Sequence, residues 1–255
     1  MMRVAVRLTA MASLMTLALG AQAASVVVPA GTGVYNGLIF VGSGTLTFSA
    51  DLTSALDVGK VSVSPFGAAV GNILKDSDGL YSQVSVSAPL TSLTIDTSTN
   101  QVLGAATTGG ATQVAPVLKS VSSGGSLTVT DLNVDLANKR VYATLIGGNG
   151  VGTLTNFYLW DIGSVTGSTA ISGPGTFSTT LSGLSITTSG FNKFSQSLGL
   201  LSLGKAALSG VTDFGTITSV IGTPPVIPEP NTYALMGLGL AGVAAATRRR
   251  AARAN

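Results

Sequence analysis

Apolar and hydroxyl-bearing residues alternate along most of this chain, and a period of two restricts it to antiparallel sheet with one wet face. Gly44 to Ala50 reads Gly-Thr-Leu-Thr-Phe-Ser-Ala, with Leu46 and Phe48 on one face and Thr45, Thr47 and Ser49 on the other. Lys60 to Ser64, Gln83 to Ser87, Ser92 to Asp96 and Leu184 to Thr187 repeat the pattern. Leu38-Ile39-Phe40-Val41 is a continuous apolar run and suits a short strand buried on both faces. Gly, Pro, Asn and Asp punctuate these segments as turns require. The expected fold is all-β, an antiparallel β-sandwich or jelly-roll-like domain, with an irregular β-solenoid as the second reading.

Ser126 to Leu145 is the best hairpin candidate. Leu127 and Val129 point one way, and Leu132, Val134 and Leu136 are shifted by one residue, so a bulge is expected near Thr130-Asp131. Ala137-Asn138-Lys139 turns the chain into Val141 to Leu145, and Gly147 to Gly150 turns it again into Thr153 to Asp161. One segment changes period: Phe191, Phe194, Leu198 and Leu201 predict one amphipathic helix packed on the sheet, capped by Ser189 and stopped by Gly204. Ala111 to Val121 is a candidate second short helix, weakened by Pro116.

The ends carry different chemistry. Arg3 and Arg7 precede an apolar stretch from Leu8 to Leu19, and Ala21-Gln22-Ala23 reads as a small-x-small cleavage site. Residues 1–23 are therefore expected to be a signal peptide removed by signal peptidase, and residues 24–222 an exported β domain. Prolines at 224, 225, 228 and 230 fix φ and remove backbone donors, so residues 223–230 read as an extended linker free of the preceding fold. Glu229, the only glutamate, sits between Pro228 and Pro230. Residues 231–247 are uncharged and reach the lower limit of about 17 residues for a transmembrane helix. Arg248, Arg249 and Arg250 form a basic stop, placing residues 248–255 on the cytoplasmic side.

Pro228-Glu229-Pro230, then Tyr233-Ala234-Leu235-Met236, a glycine-rich apolar run and arginines resemble the PEP-CTERM sorting signal of Gram-negative bacteria, a tail also catalogued as an ice-binding-protein C-terminal domain. The resemblance covers about the last 30 residues. It implies that exosortase recognises Pro228, Glu229 and Pro230 and cuts near them. It also implies an inner-membrane-anchored precursor whose product reaches the cell envelope surface or extracellular matrix, often alongside exopolysaccharide.

The formal charge of +3 and pI of 9.3 suggest an acidic partner until the targeting arginines are set aside. Between Ala24 and Pro225 there are seven basic residues and nine aspartates, a net of −2, so nucleic acid is not an expected partner. With neither Cys nor His there is no disulfide, no Ser-His-Asp or Cys-His arrangement and no imidazole ligand. No catalytic residue, metal site or cofactor is expected. Asp131 and Asp135 read as a solvated strand face. Asp76-Ser77-Asp78-Gly79 opens like a calcium loop but has Ser87 in place of the closing acid, and reads as a turn. Thr45-Leu46-Thr47, Thr128-Val129-Thr130, Thr153-Leu154-Thr155 and Thr216-Ile217-Thr218 raise ice binding, but their irregular spacing argues against a stacked ladder. The expectation is a structural or adhesive surface protein of biofilm or exopolysaccharide. The alternative is a glycan- or small-ligand-binding module with Tyr158 and Trp160 as stacking contacts.

Overall fold

The computed structural model describes residues 24–226, 235–236 and 238–241. The chain begins with β1 (Ser25–Pro29), the short pair β2 (Val34–Tyr35) and β3 (Leu38–Ile39), then β4 (Val41–Phe48) and α1 (Ala50–Val58). β5 (Ser62–Phe66), β6 (Val70–Lys75), β7 (Tyr81–Asp96), β8 (Gln101–Thr107) and β9 (Gly110–Leu118) follow. Next come β10 (Ser122–Asp135), β11 (Arg140–Gly147), β12 (Gly152–Gly167) and β13 (Gly175–Ile186). Helices α2 (Thr188–Ser197) and α3 (Ser202–Ser209) precede the last strand, β14 (Gly215–Thr223).

These strands do not form two packed sheets. β4, β7, β8, β10, β11, β12, β13 and β14 pair in that order, each antiparallel to the next, and β14 returns to β4. The result is a closed eight-stranded antiparallel barrel, where a sandwich or jelly roll was expected. Alternation fixes which face is wet but not whether a sheet closes on itself. Closure comes from β4 meeting β14, partners from opposite ends of the domain, and from strands shared between neighbours. β7 pairs with β6 through its first half and with β8 through its second. β10 pairs with β9 and then with β8.

The bulge expected near Thr130-Asp131 marks that change of partner. The β10–β11 register shifts between Thr130 and Asn133, and Asp131 takes φ 51°. Ala111 to Val121, the second helix candidate, is instead mostly strand β9. Pairing with β10 on one side and β5 on the other overrides the helical spacing, and Ala111, Gln113 and Ala115 bury alternately. The apolar run 38–41 also alternates: Leu38 and Phe40 are buried, whereas Val41 is 45% exposed.

Helices α1, α2 and α3 lie in connections at one pole, after β4 and between β13 and β14. Ser49 caps α1, its Oγ accepting from the Leu52 N–H at 3.0 Å, and Leu52 and Leu56 enter the core. The single helix expected from Phe191 to Leu201 is two. Thr187, not Ser189, caps α2, and Gly199 at φ 62° ends it. Gly204 lies inside α3 rather than stopping it, where an added Cβ would sit 2.3 Å from the Val121 carbonyl oxygen. Phe194, Leu198, Leu208 and Phe214 join the barrel side chains in the larger core. A second core around Phe40, Leu93, Ile95 and Ile221 fills the opposite pole.

Candidate functional site

That opposite pole gathers both ends of the domain. Ala24 offers its carbonyl to the Thr97 N–H at 2.9 Å and to the Thr97 hydroxyl at 2.6 Å. Three residues on, Asn100 accepts from the Tyr35 hydroxyl at 2.6 Å and from the Asn36 amide at 3.3 Å, fastening the β2–β3 hairpin to the β7–β8 turn. The hairpin holds the outgoing chain: the Ile39 N–H donates to the Pro224 carbonyl at 3.0 Å, and the Val226 N–H donates to the Gly37 carbonyl at 2.9 Å. Thr223, 1% exposed, donates its hydroxyl to the Gly173 and Gly175 carbonyls. Residues 223–226 are therefore not the free linker that their prolines suggest. Proline keeps its carbonyl, and an extended φ lets that carbonyl accept at a strand edge.

Ala21, Ala23, Pro228, Glu229, Pro230, Arg248, Arg249 and Arg250 lie outside the described residues. Of the apolar run, residues 235–236 and 238–241 are helical, with Leu235, Met236, Leu238 and Leu240 at least 63% exposed. Among the described residues no helix is long and apolar enough to cross a membrane.

Tyr158 and Trp160 do not share a face. The β11–β12 register shifts so that Val141 pairs with Trp160 but Tyr142 pairs with Tyr158, leaving Leu159 as the extra residue. Leu159 and Trp160 both turn inward, Trp160 at 3% exposure against Phe214. Tyr158 remains outside, its ring 5.5 Å from that of Tyr142 and 4.9 Å from the Arg140 guanidinium. Its hydroxyl donates to the Asp161 carboxylate, and that bond holds the phenol above its ordinary pKa. The paired sugar-stacking platform expected of these residues is thus not formed: Trp160 is core, and Tyr158 belongs to a cross-strand cluster.

The aspartates fasten backbone. Asp131 Oδ1 accepts from the Gly109 N–H and the Thr108 hydroxyl, and Asp135 accepts twice from Asn138. Asp76 accepts from the Asp78 and Leu80 N–H groups, closing the turn read from its sequence. Asp57 holds the Tyr81 N–H, and Asp213 bridges the Leu184 and Gly215 N–H groups. Asp96 accepts from the Ser98 hydroxyl and N–H, which hold its carboxyl below the usual range.

Two of the Thr-x-Thr segments meet. Thr47 pairs with Thr216 and Thr45 with Thr218, and the row extends to Ser87 on one side and to Thr180 and Thr166 on the other. Thr45 donates to Ser87 at 3.1 Å, and the Thr180 and Thr218 hydroxyls lie 3.3 Å apart. This uncharged hydroxyl row spans five adjacent strands of a closed barrel, so it is curved, and a flat crystal plane meets only part of it. Thr128 and Thr130 are buried.

The barrel interior is packed, not a channel. Two adjoining apolar voids of about 30 and 50 Å3 share Gly44 and Leu132 in their walls. Ligand pockets are roughly 300–1,000 Å3, so no sugar fits.

Among known families, the PEP-CTERM protein-sorting motif matches residues 226–250. No curated protein and no solved structure matches the chain. The motif identifies the tail as the sorting signal of an exported, exosortase-processed surface protein, with exosortase as its processing partner.

Proposed function

We propose that this chain is a non-enzymatic structural or adhesive protein of the cell surface or extracellular matrix, delivered there by exosortase processing of its tail. In this reading residues 1–23 are a signal peptide, residues 231–247 anchor the precursor in the inner membrane of a Gram-negative cell, and Arg248 to Arg250 stay in the cytoplasm. The observation that carries it is that the sorting motif starts at Val226, a residue whose N–H still donates to the Gly37 carbonyl of the barrel.

From Val226 to the start of the apolar run at Asn231 is five residues, at most about 18 Å of extended chain. In the precursor the β2–β3 pole would then face the membrane and the helical pole would face away. The curved hydroxyl row supports a role in a hydrated polymer matrix of biofilm or exopolysaccharide, since it offers donors and acceptors without charge.

Intact mass of the protein from its native host, fractionated into membrane and extracellular pools, tests this reading. An extracellular species starting at Ala24 and ending near Pro228 to Pro230 is expected. A species ending at Asn255 and confined to the inner membrane would make the tail a permanent anchor and overturn it.

A further inference from the structure

The pole that gathers the two ends of the domain is nearly free of charge. The segments that build it, residues 24–48, 88–107, 163–182 and 215–226, contain one charged side chain, Asp96, which is 8% exposed and bonded to Ser98. Asp135 and Lys139 stand to one side, on the β10–β11 turn, one of each sign. The helical pole differs, with Asp51, Asp57, Lys193 and Lys205 on its helices and Asp213 beside them.

On the uncharged pole apolar side chains point outward in register. Leu38 bridges Pro225, Ile39 bonds to Pro224 and Val226 bonds to Gly37, so β3 lies between β2 and the outgoing chain. Val34 pairs with Ile39 on the other side. Cross-strand partners share a face and neighbours alternate. Because Leu38 is buried, Val34, Ile39, Pro224 and Val226 make up the outer face of this ribbon. Val34 is 57% exposed and Val226 40%. On the adjoining wall Val41 pairs with Gly222, which sets its side chain beside that of exposed Val220.

An exposed apolar surface without charges marks a contact face, and the chain itself selects the occupant. The apolar run starts five residues after Val226, at most about 18 Å away, so whatever that run enters lies within reach of this face. A tether this short makes the contact intramolecular, so a few apolar side chains suffice to hold it. A pole without exposed charge also avoids the cost of stripping hydrated ions against lipid.

We propose that in the precursor the barrel stands on the phospholipid bilayer through this face, with Val34, Ile39, Pro224 and Val226 at the headgroup boundary. The proposal rests on the reading that residues 231–247 anchor the precursor, and adds that the barrel is docked on the membrane and not merely tethered to it. The docking is reversible by design of scale: even a single acyl chain gives only marginal membrane binding, so a face of this size lets go once the tail is cut.

The chain contains no cysteine, so single introduced cysteines can carry a polarity-sensitive fluorophore. Val34→Cys and, at the helical pole, Ser54→Cys are made in the chain from Ala24 to Asn255, which holds every strand of the barrel. Both positions are exposed, so neither label disturbs the core. The proteins are reconstituted in vesicles of phosphatidylethanolamine and phosphatidylglycerol that include a lipid with a nitroxide near its headgroup. The probe at position 34 is expected to shift to the blue and to be quenched by the nitroxide, while the probe at position 54 stays in water. The same result is expected at high salt and in phosphatidylcholine vesicles, because the face is uncharged. Val34→Glu, with the probe moved to Thr32→Cys, is expected to abolish the blue shift and leave flotation with the vesicles unchanged. Flotation with an unshifted, unquenched probe at position 34 would overturn the docking and leave the anchoring reading intact. Failure to float would overturn both. A blue-shifted probe that the nitroxide does not quench would place a second copy of the chain on this face and overturn the proposal.

Discussion

Asp131 and Gly109 bond to each other twice: the Gly109 N–H donates to Asp131 Oδ1 at 3.0 Å, and the Asp131 N–H donates to the Gly109 carbonyl at 3.2 Å. This reciprocal pair sits where β10 leaves β9 for β8, and it secures the loop between those two strands. Asp131 has φ 51° and Gly109 φ 86°, so each residue accepts a backbone geometry most others resist. Asp131→Ala is expected to lower stability by about 1–2 kcal/mol, and Asp131→Asn, which keeps the acceptor and tolerates the geometry, by less. Gly109→Ala should cost at least about 2 kcal/mol, since its Cβ would lie 2.6 Å from the Ala69 nitrogen. Urea denaturation of the three variants checks the order.

Trp160 is the only tryptophan and reports on the core directly. Its emission should be blue-shifted and resist acrylamide quenching in the folded protein. Trp160→Ala is expected to cost about 3–5 kcal/mol, read by urea denaturation.

Acid stability carries a signature of Asp96. The Ser98 hydroxyl and N–H stabilise its carboxylate and hold its pKa below the ordinary 3.8. A carboxyl depressed in the folded state contributes stability that is present above the unfolded value and lost as pH falls through the folded one. Stability should therefore decline as pH drops below about 4, and Asp96→Asn should flatten that decline. Chemical denaturation at a series of acid pH values reads the slope.

Tyr158 should titrate above an ordinary tyrosine, mainly because its hydroxyl donates to Asp161. Asp161→Asn removes the charged acceptor and is expected to bring the phenol back toward its usual value, read by ultraviolet titration. A folded-state value raised above the unfolded one gives stability below the unfolded pKa that is lost as pH rises through the folded pKa.

What was legible in the sequence followed from local periodicity. The slip from Val129 to Leu132 showed the bulge at Asp131 because one residue of offset moves every side chain to the other face. The same alternation could not show barrel closure, which depends on Thr45 meeting Thr218 across the whole domain. Nor could it show the bulge at Leu159, since Tyr158 and Trp160 keep a spacing of two whichever way each turns. α1 went unread although Ser49, Asp51, Leu52 and Leu56 carry its cap and buried face. The grip on residues 223–226 was hidden because prolines predict what a segment cannot donate, while the carbonyls they retain still accept.

That grip bears on durability. An extracellular protein cut near its sorting motif acquires a new C-terminus, and a loose one invites trimming by exopeptidases. Here the stub would be stitched into a strand edge up to Val226, with Thr223 fully sheltered, while Ala24 is tied to Thr97 at the other end. A carboxypeptidase would meet bonded backbone at Val226. The same contacts that bring the tail to the pole would keep the processed chain tied to the barrel as far as Val226.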